Sequence, residues 1–184
     1  MTNVTVRQAL SESDLSACRQ VRWEVLFKDQ EVDEDNELSN DANSVHFLAL
    51  SGSEPVGTCR IQQKGPYLLK VQRMAVLPHL QRSGIGKALM EAVVPAAQRL
   101  FPSLLLSTNS QASTFPFYSK CGFLAVSDRF KAWGVDHLCG VLPPKDSAAV
   151  ERLAIYCELK RESLAAEIAP VSIDKLRSVL KMTQ

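Results

Sequence analysis

The residues whose pattern carries the most chemistry lie between Val71 and Leu89, V-Q-R-M-A-V-L-P-H-L-Q-R-S-G-I-G-K-A-L. An apolar run ends at Leu77-Pro78, a short polar turn follows, and the spacing predicts a helix that opens at Gly84-Ile85-Gly86. A strand feeding a glycine turn and a helix N-terminus makes an anion site. Unpaired backbone N–H groups converge there, and the helix dipole adds partial positive charge. Glycine at 84 and 86 lets a phosphate approach the main chain closely. Two common phosphate loops are excluded by single residues. A Walker loop ending at Gly86-Lys87 needs glycine at 81 and a hydroxyl at 88, where Gln81 and Ala88 stand. A dinucleotide fingerprint starting at Gly84 needs a small residue where Leu89 stands, and the surrounding βαβ context is poor.

The third reading fits. Gln81-Arg82-Ser83-Gly84-Ile85-Gly86 resembles the Q/R-x-x-G-x-G/A pyrophosphate loop of the GNAT acetyltransferase superfamily. About thirty residues on, Gln111-Ala112-Ser113-Thr114-Phe115-Pro116-Phe117-Tyr118-Ser119-Lys120-Cys121-Gly122-Phe123 resembles a second region of that superfamily, N-x-x-A-x-x-Φ-Y-x-x-x-G-F. It departs from the pattern in having Gln111 for Asn and its alanine next to Gln111. Two further stretches narrow the resemblance to ElaA-like acetyltransferases. Val21 to Gln30, followed by acids, is similar to their R-x-x-V-F-x-x-E-Q, and Gly134-Val135-Asp136-His137 to their G-I-P-H. The similarity spans roughly residues 4 to 142 and leaves the C-terminal end unmatched.

The resemblance implies an N-acetyltransferase that moves acetyl from acetyl-CoA to a primary amine by direct attack in a ternary complex. Its pantetheine arm would lie along Gln72 to Leu77, with Met74, Ala75 and Val76 offering backbone groups. Gln81, Arg82, Ser83, Gly84, Ile85, Gly86 and Lys87 would hold the pyrophosphate, and Gln111, Phe117 and Tyr118 would complete the cofactor site. Tyr118 is the expected proton donor to the leaving thiolate, against the alternative of a buried aromatic with a satisfied hydroxyl. His137, which matches the family's histidine, could relay a proton through water, or serve structure alone. Phe27, Gln30 and Arg73 are the substrate-side candidates; Arg73 sits in an otherwise apolar strand, where an unpaired charge is costly. Glu24 and His46 are further polar residues expected near the cleft. No metal is expected: Asp33-Glu34-Asp35-Asn36-Glu37-Leu38 begins like a calcium loop, but Leu38 replaces its turn glycine and Ser44 its terminal glutamate. A covalent route through Cys121 has nothing beside it to activate the thiol.

Positioning these residues takes a mixed sheet. The fold class expected is α/β (α+β): a mixed, mostly antiparallel central sheet flanked by helices, with extra helices at the C-terminal end. Strands are predicted over Val4 to Leu10, Val45 to Leu50, Val56 to Gln63, Tyr67 to Leu77, Ser103 to Ser107, Phe123 to Ser127 and His137 to Val141. Ser11 to Asp14 has capping-box spacing, so a helix should begin there and carry Leu15, Cys18, Val21, Val25 and Leu26. A second helix over Ser83 to Leu100 contains Pro95, which predicts a kink or an early stop. A short helix near Thr114 to Lys120 tolerates Pro116 in its first turn. Pro143-Pro144 divides an acetyltransferase domain, 1–142, from a helical extension, 143–184, in which Ser172 can cap a helix and Val171 can pack on Leu176.

Composition bounds the function. The chain has 184 residues and a net charge of +1, which suits one globular domain and argues against electrostatic capture of nucleic acid. Seven of its 20 acids fall between Asp29 and Asp41 with no base among them, so the remainder is basic. That segment could face a cationic ligand or be a solvated loop. Five scattered cysteines without a C-x-x-C pair fit reduced thiols in a cytoplasmic protein, and no apolar run reaches membrane-spanning length. The expected partner is a small-molecule or protein amine, with neither nucleic acid nor membrane, and the C-terminal helices could serve a homodimer. Two rival readings stand beside a cationic acceptor: an acyl-CoA-binding regulatory domain, and an amino-sugar-phosphate acetyltransferase, whose phosphate would want bases where the acidic segment has none.

Overall fold

Ser11 fixes where the first helix begins. Its side chain accepts a hydrogen bond from the Asp14 N–H at 3.1 Å, and α1 (Glu12–Arg22) follows. The box is only half closed, because the Asp14 carboxylate takes the Arg7 guanidinium at 2.8 Å. In the computed structural model the described residues are 4–28, 40–143, 172, 174, 175 and 178. Their strands are β1 (Val4–Ala9), β2 (Ser44–Ser51), β3 (Glu54–Lys64), β4 (Leu68–Val76), β5 (Leu105–Gln111), β6 (Leu124–Ala125), β7 (Phe130–Ala132) and β8 (Val135–Val141). The helices are α1, α2 (Ile85–Leu100) and α3 (Phe115–Lys120). Hydrogen-bonded neighbours run β1-β2-β3-β4-β5-β8-β6, with β7 on β8, which is the mixed, mostly antiparallel sheet expected.

The chain divides into two compact units, Met1–Gln63 with Val71–Leu100, and Lys64–Lys70 with Phe101–Gln184. In the first, β1 and β2 pair antiparallel from Val4↔Ser51 to Ala9↔His46, and β2 pairs antiparallel with β3. One face of the ladder packs on α1 through Ala9, Cys18 and Leu48. Gly57 in β3 lets α2 come close: a β-carbon there would lie 2.9 Å from Ile85 Cγ2 and 3.2 Å from Leu89 Cδ1. Helix α2 does not stop at Pro95. The proline costs one backbone hydrogen bond, but its side is exposed while Val93, Ala96 and Ala97 beside it are buried, so packing carries the helix on to Leu100. Leu100 itself is exposed.

In the second unit β5 and β8 pair antiparallel from Ser107↔Val141 to Gln111↔His137. β5 therefore runs four residues past the predicted end. Its polar second half, Thr108-Asn109-Ser110-Gln111, breaks the apolar pattern but is held by the β8 ladder. The predicted strand at Phe123 to Ser127 shrinks to β6, and an unpredicted β7 pairs with β8 across the two-residue turn Trp133-Gly134. Pro116 does sit in the first turn of α3. Ser172 caps as expected: its Oγ accepts from the Lys175 N–H at 3.3 Å, and its own N–H donates to Val126 O at 2.7 Å. Val171, Leu176 and the predicted helix over 148–169 lie outside the described residues.

Candidate active site

After β4 the chain makes a 3-10 turn, Pro78–Leu80, and the loop from Gln81 to Gly84 stays exposed before α2 starts at Ile85. The first helical bond is donated by the Ala88 N–H to Gly84 O at 3.0 Å, so the N–H groups of Ile85, Gly86 and Lys87 open toward the loop. Two backbone twists shape the turn. Arg82 has φ 64, unusual for a side-chain-bearing residue, and Gly84 has φ 95, which glycine alone adopts cheaply. Space around the Gly84 α-carbon is open, with nothing within 4 Å of where a β-carbon would stand. Ser83 Oγ donates to Leu80 O at 2.6 Å and Gln81 Nε2 to Val76 O at 3.2 Å, pinning the turn to the end of β4. Among the described residues Arg82 has no ion-pair partner, whereas Lys87 pairs with Glu91 at 3.3 Å along the helix. An exposed guanidinium beside a cluster of donors is a fit for a pyrophosphate.

Upstream, Arg73 interrupts β4 with φ 52, a left-handed residue inside a strand that bends the run carrying Met74, Ala75 and Val76. Its guanidinium lies 5.6 Å from the centre of the Phe27 ring. Phe27 is delivered by a π-helical turn, Trp23–Phe27, that extends α1 and is marked by the Lys28 N–H donating to Trp23 O. Two substrate-side candidates, Phe27 and Arg73, are thus brought together, while Gln30 lies outside the described residues.

The second unit holds the other candidates. Gln111 and His137 are cross-strand partners at one end of the β5–β8 ladder, and the chain leads from Gln111 directly into α3. Tyr118 in α3 is buried, with Phe117 edge-on at 5.0 Å and Phe123 at 5.7 Å. His137 Nδ1 lies 2.9 Å from the Val135 carbonyl. A carbonyl can only accept, so Nδ1 carries the hydrogen, and the tautomer this bond selects has its lone pair on Nε2.

Sequence reasoning missed an ionic cluster and misplaced one residue. His46 does not face an open cleft: it is buried beside Asp41, Arg22 and Arg60. The Asp41 carboxylate takes Arg22 Nη2 and Arg60 Nη1, each at 2.6 Å, and Arg19 Nε at 3.4 Å. His46 Nε2 donates to the Asp41 carbonyl at 3.0 Å, and its Nδ1 accepts from Arg22 Nη1 at 3.4 Å. Burial alone would raise the Asp41 pKa, but the Arg22 charge and the hydrogen bonds from Arg22 and Arg60 outweigh it and hold it below the ordinary value. Burial pushes His46 below its ordinary value, so the ring is neutral. Asp41 therefore faces inward, not toward a cationic ligand. Arg22 and Arg60 could have been found by the reasoning applied to Arg73, that an arginine among apolar residues needs a carboxylate. Glu24 is on the surface, paired with Lys28 at 2.8 Å.

Residues 12–139 match the family described as the acetyltransferase (GNAT) domain, and the chain belongs to that family. It is an acyltransferase, and acetyl-CoA, the acyl donor of GNAT acetyltransferases, is its cofactor. An uncharacterized N-acetyltransferase, YjcF of Bacillus subtilis (strain 168), is 33% identical over 132 residues, covering 71% of this chain and 93% of that one. The solved structure of Escherichia coli ElaA superposes with a TM-score of 0.66 at 22% identity, covering 77% of this chain and 99% of the other. A GNAT family acetyltransferase from Elizabethkingia anophelis, solved with acetyl-CoA bound, superposes with a TM-score of 0.60 at 16% identity, covering 77% and 99%.

Proposed function

We propose that the chain transfers acetyl from acetyl-CoA to a primary amine, cationic in solution, by direct attack without an acetylated enzyme residue. The observation that carries the reading is the exposed turn Gln81 to Gly86, where φ 95 at Gly84 and the open start of α2 present unpaired N–H groups beside Arg82. Acetyl-CoA supplies an activated thioester. The chain's residues supply the rest. The turn and Arg82 hold the pyrophosphate, and the β4 segment Met74 to Val76 offers backbone groups to the acyl arm. The His137 Nε2 lone pair receives the proton that the amine must lose. Tyr118 donates a proton to the departing thiolate, held in place by Phe117 and Phe123. Phe27 and Arg73 stand on the acceptor side. Cytoplasmic residence belongs to the same proposal; among the described residues no helix is long and apolar enough to cross a membrane.

Thiol release from acetyl-CoA, measured against a panel of polyamines, amino sugars, amino acids and basic peptides, tests this reading. Turnover on at least one amine, slowed by Tyr118→Phe with cofactor binding intact, is the expected result. Cofactor binding with no thiol release on any amine would overturn it in favour of a regulatory acyl-CoA-binding domain.

A further inference from the structure

The β7–β8 hairpin ends in a feature that acetyl transfer as such does not need. Trp133 and Gly134 form its two-residue turn with φ 49 and φ 75, both left-handed. Glycine adopts this freely, but a bulky side chain adopts it against steric resistance. Burial does not compensate, since Trp133 is 87% exposed. What the ring does contact is His137: its centroid lies 5.9 Å from the imidazole, and the Phe130 ring also lies 5.9 Å from it. These two rings flank the imidazole whose Nε2 carries the lone pair.

Cross-strand pairing sorts the hairpin into two unlike faces. The pairs Phe130↔His137 and Ala132↔Val135 share one face, and Lys131↔Asp136 lies on the other. Both charges are held on that second face in an ion pair at 2.8 Å. The first face of the hairpin is apolar apart from the imidazole, and it continues through Val135, itself 43% exposed. A phosphate or carboxylate brought there would lose water and find no cation on that face of the hairpin among the described residues. A flat apolar group would stack on Trp133 and cover Val135 at no electrostatic cost. The footprint is a few side chains wide, matched to one ring of a small molecule and far below what a stable protein interface buries.

We propose that Phe130, Trp133 and Val135 seat an aromatic or apolar arm of the acceptor amine next to His137, and that Trp133 sets acceptor specificity. The proposal rests on the acetyl-transfer reading and adds the acceptor's chemical class: an amine joined by a short linker to a neutral ring or branched alkyl group. Trp133 is a specificity residue here; the proton chemistry stays with His137 and Tyr118.

The test compares acetylation of 2-phenylethylamine with that of ethylamine, which share an amine and differ in the arm. The wild-type KM should be lower for phenylethylamine. Trp133→Ala should raise that KM roughly tenfold while changing the ethylamine KM less than about twofold, with kcat little altered, and Trp133→Phe should restore most of the loss. A KM that ignores the arm, or Trp133→Ala acting equally on both amines, overturns the seat and leaves the acetyltransferase intact. A second readout covers the case in which neither amine turns over. The chain has two tryptophans, so binding of phenylethylamine at Trp133 should quench intrinsic fluorescence in the wild type and not in Trp133→Phe, which keeps Trp23. Quenching without turnover sustains the seat while the catalytic reading fails; absence of quenching overturns the seat.

Discussion

Tyr118 has little freedom. It is only 5% exposed, its ring is gripped by the edges or faces of Phe117 and Phe123, and its helix is a turn and a half long, anchored by buried Phe115. A ring so confined limits where its hydroxyl can go, which suits the proposed role of proton donor to a single leaving sulfur. Tyr118→Phe keeps the packing and removes the donor. It should lower kcat by about 10²–10⁴ while leaving the acetyl-CoA dissociation constant within about twofold, measured by thiol release and by calorimetric binding. Equal loss in binding and rate would make Tyr118 a cofactor contact instead. Gly84 makes the complementary case. Its surroundings are open, so Gly84→Ala meets no clash; the penalty lies in φ 95 and in the methyl group set where, in the proposed reading, a phosphate approaches. Acetyl-CoA binding should weaken about tenfold, with the melting temperature falling by a few degrees at most. Unchanged binding in Gly84→Ala would move the pyrophosphate elsewhere.

Among the elements, α2 shows how a fold can satisfy a pattern and still depart from a local rule. Pro95 should end a helix, yet the buried stripe Ile85, Leu89, Met90, Val93, Ala96 and Ala97 runs past it and holds the helix to Leu100. Packing of that stripe depends on Gly57, where a β-carbon would meet Ile85 Cγ2 at 2.9 Å and the Ala75 carbonyl at 3.2 Å. Helix α2 carries the anion turn at its start, so Gly57 sets its seating on β3. Gly57→Ala should destabilise the chain by about 1–3 kcal/mol in urea unfolding, since the clash is with backbone and a buried side chain and not with a flexible tip. A stability loss below about 0.5 kcal/mol would show that α2 can shift without cost. What was legible at this scale followed periodicity. The β2–β3 hairpin, α1 with its Ser11 cap, and the strand–turn–helix from Leu68 to Leu100 all announce themselves by apolar spacing and turn residues. The second half of β5 did not, because Thr108 to Gln111 are polar and are held by the pairing of β8. β7 did not either, since its three residues belong to a strand only through their partner and a turn led by tryptophan carries no familiar signal.

At the scale of the whole molecule, the family and the exposed turn from Gln81 to Gly84 were legible because short backbone motifs write them into adjacent residues, whereas the ionic cluster was not. Its members, Arg22, Asp41, His46 and Arg60, come from a helix, a turn and two strands, and no local pattern links them. Their effect is on the stability of the entire chain. Asp41 is held below its ordinary pKa, so its ionised form stabilises the fold above the unfolded carboxylate value of about 4, and that contribution drains away as pH falls toward the folded value. His46, buried neutral, also has a lowered pKa; the unfolded chain binds its proton first, so stability begins to fall as pH drops below about 6.5. Both slopes have the same sign, and acid should weaken the protein in two stages. The groups facing one another are Arg19, Arg22, Arg60, His46 and Asp41; the arginines keep their charge across this range. Urea unfolding from pH 8 to pH 3 should show a first decline beginning near pH 6.5 that shrinks in His46→Gln, and a second below about pH 4 that shrinks in Asp41→Asn, leaving the part carried by Asp14 and Asp136, whose pKa values are also lowered. The second variant should also be less stable at pH 7 by about 3–5 kcal/mol, because Arg22 and Arg60 would stay buried opposite a neutral amide. A flat profile between pH 8 and pH 5 in the wild type would mean that His46 takes up its proton as readily in the folded chain as in the unfolded one, with the hydrogen bond from Arg22 to Nδ1 broken as it does so.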